Sequence, residues 1–273
     1  MIDPFDTSSA FDEKTGQIFE HQKVNNLVYK RFCDALQISE ITSIDEIPLL
    51  PIQAFKDTLI FTERSSPITK HSKLVFQSSG TSGMTRSKNL VSNPEIYRQS
   101  VIRGMNHFYD LDEYVILAYT PGYNDNSHSS LVWMLNSLIE QEPSGLSRFL
   151  DLGTSLAESH IDEICSAGKK VMIFGAAFGL LDLIEMGLPN LPNDSMILET
   201  GGMKTFRREM TKEDLHQQLA DGFGVEKKYI HSEYGMTELL SQAYSRGSLW
   251  FDTVPWMRVT IRNPHNPMQI QPA

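Results

Sequence analysis

The sequence predicts an α/β fold built on a mostly parallel sheet flanked by helices. Three observations predict it. Short apolar runs alternate with amphipathic stretches through the middle of the chain. Helix-start signals stand where the amphipathic stretches begin, as at Asn93-Pro94 and Thr211-Lys212-Glu213-Asp214. The composition, 40% hydrophobic and 21% charged, is that of a chain able to bury a core.

Taken in order, residues 1–15 are polar and read as a loose segment. Residues 16–36 carry Ile18, Phe19, Val24, Leu27, Val28, Phe32 and Leu36 at roughly helical spacing. A proline-bounded connection, Ile47-Pro48-Leu49-Leu50-Pro51-Ile52, leads to a short helix at 53–56. A strand at 74–77 runs straight into a serine/glycine loop. Pro94 opens a helix over 94–108, with Asn93 as its N-cap. Strands then follow at 114–119, 170–174, 195–199 and 228–231. Helices lie between them at 129–140, 157–167, 177–185 and 211–220. A last strand is expected at 256–261, broken afterwards by Pro264, Pro267 and Pro272. The expected division is a core over 16–264 and a tail over 265–273.

The net charge of −10 disfavours non-specific binding to nucleic acid or to an anionic membrane, both of which need a basic surface. It does not exclude a nucleotide held by a few local donors. Two cysteines, Cys33 and Cys165, make no disulfide framework and no zinc spacing. Both read as structural residues on helices. No stretch reads as a signal peptide or a membrane span, so the expected location is the cytoplasm.

Ser78-Ser79-Gly80-Thr81-Ser82-Gly83 places four hydroxyls around two glycines directly after a strand. Glycines allow tight turns, and successive N–H groups and hydroxyls can surround phosphate oxygens. Arg86 and Lys88 add charge nearby. The spacing is neither a Walker A loop nor a dinucleotide fingerprint, and no serine-hydrolase elbow is present. On its own the cluster also fits an ordinary surface loop.

Tyr234-Gly235-Met236-Thr237-Glu238 follows another expected strand. Tyr234 could stack on a flat base, Thr237 could donate to a phosphate, and Glu238 could hold Mg²⁺, which favours carboxylate and phosphate oxygens. The segment also fits a plain strand-to-helix connection.

The two segments together, in this order, resemble the adenylate-forming superfamily of acyl-CoA synthetases, nonribosomal-peptide adenylation domains and firefly-type luciferases. Further residues are similar to one branch, the LuxE-type acyl-protein synthetases. These are Ile47 to Ile52 with Phe55-Lys56, Ser129-Ser130-Leu131-Val132, Thr200-Gly201-Gly202-Met203-Lys204, and the stretch from Glu233 through Ser241 to Gln242-Ala243-Tyr244. The likeness runs over nearly the whole chain.

The resemblance implies the large N-terminal domain of the adenylate-forming fold. It implies ATP-dependent activation of a carboxylic acid, in this branch a long-chain fatty acid, as acyl-AMP with release of pyrophosphate. The acyl group would pass to a protein or carrier thiol, as in an acid–thiol ligase. Ser78, Ser79, Gly80, Thr81, Ser82 and Gly83 would hold the β- and γ-phosphates. Gly201 and Gly202 would line the adenine side, and Tyr234 with Gly235 would stack on the base. Thr237 would meet the reacting phosphate, Glu238 would bind Mg²⁺, and Arg86 would add charge where relatives carry Pro-Lys. An acyl-reductase or an acyl carrier would be the protein partner.

The family's ribose-binding aspartate, its small mobile domain with an adenylation lysine, and its late acyl-accepting cysteine have no counterpart in this sequence. The expectation is a large domain without the small C-terminal one. A catalytically incomplete nucleotide- or acyl-binding module, or a subunit of an acyl-reductase complex, is the alternative. Among single residues, His128 reads as solvated or at the edge of an acyl pocket. His231 reads as shaping the site, Lys204 as exposed or anion-facing, and Trp133, Met134, Leu135 and Leu138 as helical core.

Overall fold

The computed structural model describes residues 3–6, 8–62, 74–78, 85–121, 126–201 and 210–271. The chain divides into two compact units. One comprises Met1–Tyr97 with Thr253–Ala273, the other Arg98–Asp252.

In the first unit, helices α1 (Phe11–Asn25) and α2 (Leu27–Ala35) replace the single helix expected over 16–36. The break is at Asn26, which is extended and accepts a hydrogen bond from Tyr29 N–H at 3.1 Å. An asparagine that caps a new helix cannot also continue the old one. The first helix also begins earlier than expected, at Phe11. Phe19, Cys33 and Ile47 form a small buried cluster, and the Tyr29 hydroxyl donates to Pro48 O at 2.9 Å. Cys33 is therefore a core residue as expected, whereas Cys165 is exposed.

The short helix α3 (Ala54–Asp57) and the strand β1 (Leu74–Gln77) fall where the sequence places them. β1 pairs antiparallel with β2 (Lys88–Val91), which the sequence reading missed. The strand expected at 256–261 does not form. A two-stranded antiparallel pair stands just beyond it, β10 (Arg262–Asn263) with β11 (Asn266–Ile270). β11 contains Pro267, tolerated because a two-stranded pair has only edge strands.

The second unit is a seven-stranded, mostly parallel sheet. Helix α4 (Pro94–Phe108) crosses the division and leads in. The strands are β3 (Tyr114–Tyr119), β4 (Arg148–Phe149), β5 (Lys170–Ala176), β6 (Met196–Thr200), β7 (Ile230–Tyr234), β8 (Ala243–Arg246) and β9 (Asp252–Thr253). Their order is β4-β3-β5-β6-β7-β8-β9, with β8 antiparallel to β7. The helices between the strands are α5 (Ser130–Gln141), α6 (Glu158–Ser166), α7 (Ala177–Glu185) and α8 (Lys212–Phe223).

The parallel strands β3, β5, β6 and β7 and the α-helices of this unit stand where the sequence places elements, whereas the two-residue parallel strand β4 has no counterpart in the sequence expectation. Helices stand in the connections between the parallel strands, as parallel neighbours require, whereas β7 passes to its antiparallel neighbour β8 by a tight turn. Residues Val115, Leu117, Val171, Ile173, Ile197 and Ile230 share one face and pack against α6, α7 and α8 in the main core. Met134, Leu135 and Leu138 of α5 are buried as expected, and His128 is exposed. Among the described residues no helix is long and apolar enough to cross a membrane.

Candidate functional site

The sequence-predicted site residues are shared between the two units. In the first unit, Ser78 directly follows β1, and its N–H donates to Ser87 O at 3.1 Å while its hydroxyl accepts from Ser87 N–H at 3.0 Å. The serine/glycine run directly follows a strand, as expected, and stands between the two strands of an antiparallel pair. Arg86 is exposed beside this pairing. Ser79, Gly80, Thr81, Ser82 and Gly83 lie outside the described residues, as do Gly202 and Lys204.

In the second unit, Gly201, Tyr234, Gly235, Thr237 and Glu238 come together at the carboxyl ends of β6 and β7. The expected strand at 228–231 begins later and runs further, so Tyr234 is its last residue. Side chains alternate across a strand, which sorts β7 cleanly.

Ile230, Ser232 and Tyr234 face the side that α8 covers. There His216 Nε2 lies 3.0 Å from the Ser232 hydroxyl and 3.7 Å from Glu199 Oε1. Tyr234 is 49% exposed, and its ring meets that of Phe251 at 6.1 Å. Under Phe251 sits the Lys212 amine, 3.9 Å from the ring centroid. Burial lowers the pKa of that amine, and nearby Glu199 partly restores it.

His231 and Glu233 point to the other side. His231 Nδ1 meets the Tyr109 hydroxyl at 3.2 Å, and its Nε2 meets Lys228 O at 3.0 Å. A neutral imidazole satisfies both, accepting from Tyr109 and donating to the carbonyl. Burial lowers its pKa from 6.5 to about 4, against the bond to Lys228 O. Glu233 accepts a hydrogen bond from the Thr200 hydroxyl. Burial raises its pKa from 4.5 to about 7; the Thr200 bond opposes the rise and Glu199 adds to it. Glu233 entered the sequence reading only as part of the resemblance. The signal available there was a carboxylate just past the end of an expected strand, directly before the Tyr-Gly-Met-Thr-Glu segment.

After Tyr234 the chain leaves the strand, and the turn follows two residues later. Thr237 and Glu238 lie in a tight turn that Leu239 N–H closes onto Met236 O at 3.1 Å. The antiparallel β8 follows, not a helix. Thr237 and Glu238 are both half-buried. Among the described residues no group of three or more His, Cys, Asp or Glu could hold a metal. One carboxylate suits Mg²⁺ nonetheless, since that ion usually keeps waters and takes substrate phosphate oxygens besides one or two carboxylates.

No protein-family model matches this chain. No curated protein matches it either.

Proposed function

We propose that the chain is the core of an acyl-adenylating enzyme that activates a carboxylic acid, in particular a long-chain fatty acid, with ATP. The observation that supports it best is the carboxyl end of β7. There a half-exposed tyrosine, a glycine, a threonine and a glutamate leave a parallel sheet in immediate succession. Carboxyl ends of such strands are where open α/β sheets bind ligands. The serine/glycine run, read from the sequence, supplies the phosphate-binding half of the same reading.

In this mechanism the acid's carboxylate attacks the α-phosphorus of ATP, the bond to the bridging oxygen breaks, and pyrophosphate leaves. No protein nucleophile is needed. Tyr234 would stack on the base and Thr237 would donate to a phosphate oxygen. Glu238 would take part in holding Mg²⁺, which supplies positive charge to the phosphate chain. The protein's share is positioning and charge neutralisation. The acyl-AMP would then pass its acyl group to a thiol of a carrier or reductase partner.

The test is exchange of labelled pyrophosphate into ATP, dependent on added acid. Glu238→Gln is expected to slow exchange by about 100-fold, the usual scale for losing one charge-stabilising group. No exchange with any acid from acetate to long-chain fatty acids overturns the reading.

A further inference from the structure

We propose that Glu233 is a positioning residue that fixes the Tyr234–Glu238 turn by bonding Thr200 across the ends of β6 and β7. Its bearing on nucleotide binding rests on the function proposed above; its structural role does not.

Thr200 and Glu233 are the last register pair between β6 and β7. Beyond it the chain leaves β6 at Gly201, whose φ is +77°, while β7 runs one residue further, to Tyr234, which pairs with Ala243 of β8 before the chain leaves the sheet at Gly235. The Thr200–Glu233 bond is therefore the final tie before the two segments diverge. Glu233 is 5% exposed, in a strand paired on both sides. A carboxyl so placed is costly unless its bonds are made.

Gly235 folds back onto the same group. A Cβ at this position would stand 2.4 Å from Glu233 Oε1. A side chain at this position would have to displace the Glu233 carboxyl from where it bonds Thr200, so the glycine lets the chain leave Tyr234 with that bond intact. This is a physical reason for the glycine in Tyr-Gly-Met-Thr-Glu that needs no ligand.

Titratable and charged groups surround Glu233 from each neighbouring element. β6 contributes Glu199, and β7 itself His231. β8 contributes Tyr244, the register partner of Glu233, and Arg246. Tyr109 follows α4, and α8 carries His216 and Lys212 beside Glu199. Burial and Glu199 together keep Glu233 a neutral acid up to about pH 7. Ionising it places a second buried negative charge near Glu199, and the turn should loosen.

The experiment is amide hydrogen exchange by mass spectrometry on the full chain without nucleotide. It follows peptides covering 234–241, at pH 6 and pH 8.5, corrected for intrinsic rates. Wild type is expected to exchange about tenfold faster in this segment at the higher pH, and Glu233→Gln to be slow at both. Glu233→Ala and Thr200→Val are expected to exchange fast at both pH values, while peptides from β5 stay protected. If Glu233→Ala does not fold, Thr200→Val and the pH profile of Glu233→Gln still decide. The proposal is overturned if Glu233→Gln keeps the wild-type pH dependence, or if Thr200→Val protects the segment as well as wild type does. Absence of pyrophosphate exchange in wild type would reject the adenylation reading and leave this result standing.

Discussion

At the carboxyl edge of the central sheet, β5 ends in Phe174-Gly175-Ala176 and β7 in Ser232-Glu233-Tyr234. Only β6 separates them. β5 is buried from Val171 to Ala176 with no charged side chain in that stretch. The chain topology changes direction beside it, since β3 leads first outward to β4 and then across to β5. Open sheets often bind ligands at such a switch point. Here two glycines beside it sit in close contact with their neighbours. A Cβ on Gly175 would stand 2.2 Å from Tyr119 O, and one on Gly179 would stand 2.5 Å from Pro121 Cδ. β7, by contrast, buries His231, Ser232 and Glu233 and exposes Tyr234 at its tip. Apolar contact and close backbone approach stabilise one strand. The other holds three buried polar groups, each hydrogen-bonded to a neighbouring segment. Such groups cluster more often at functional sites than in plain cores, and the function proposed above draws on this end of the sheet.

The sharpest way to break this comparison is at β5. In Gly175→Val the new side chain meets a backbone carbonyl that cannot rotate aside. A loss of about 3 kcal/mol or more is expected, read from the urea unfolding midpoint. A variant within about 0.5 kcal/mol of wild type would show that this end of the sheet can open, and would return the switch point as a ligand site.

The next prediction concerns β7 and pH. The folded-state pKa of Glu233, about 7, lies above its ordinary 4.5, so its stabilising contribution is complete below 4.5 and is lost as pH rises through 7. That of His231, about 4, lies below its ordinary 6.5, so its contribution is complete above 6.5 and is lost as pH falls through 4. The two oppose each other over the range they share. Glu233→Gln removes the falling limb. Its stability relative to wild type should rise from near zero in mild acid to about 3 kcal/mol at pH 8, at 1.36 kcal/mol per pKa unit. Denaturation at several pH values measures it, and parallel curves for the two proteins would refute the assignment.

How much of this was legible in the sequence follows from the range of the interactions. Helix α7 was read with the bounds it has, because its apolar face repeats within the helix itself. Helix α8 was read from Thr211, which caps it by accepting from Asp214 N–H at 3.1 Å. Both signals are local. β8 was missed because its pairing with β7 depends on a turn, Met236 to Leu239, that lacks the usual hairpin dipeptides. The strand expected at 256–261 failed for a related reason: apolar content alone does not supply a partner strand. The Thr200–Glu233 bond joins residues far apart in the chain, and no spacing rule foresees it. Of the candidate site, the residue types at the tip of β7 were visible. The polar groups behind them, His216, Glu199, Lys212 and Thr200, become a network only when the sheet forms.

The smallest expected effect on stability is at the tip itself. Tyr234 is half-exposed, and Phe251 supplies the ring contact described for it, an edge-on one. Tyr234→Ala should therefore change folding stability by less than about 0.5 kcal/mol, as surface substitutions do. If the ring stacks on a nucleotide base, the same variant should bind ATP about fivefold more weakly, corresponding to about 1 kcal/mol of aromatic contact. Calorimetry with ATP and urea unfolding on one preparation give both numbers. A stability loss of about 2 kcal/mol with unchanged affinity would make Tyr234 a packing residue like those of β5. The contrast between the two strand ends would then lose its functional meaning, because β7 would also be ending in a side chain that the fold needs.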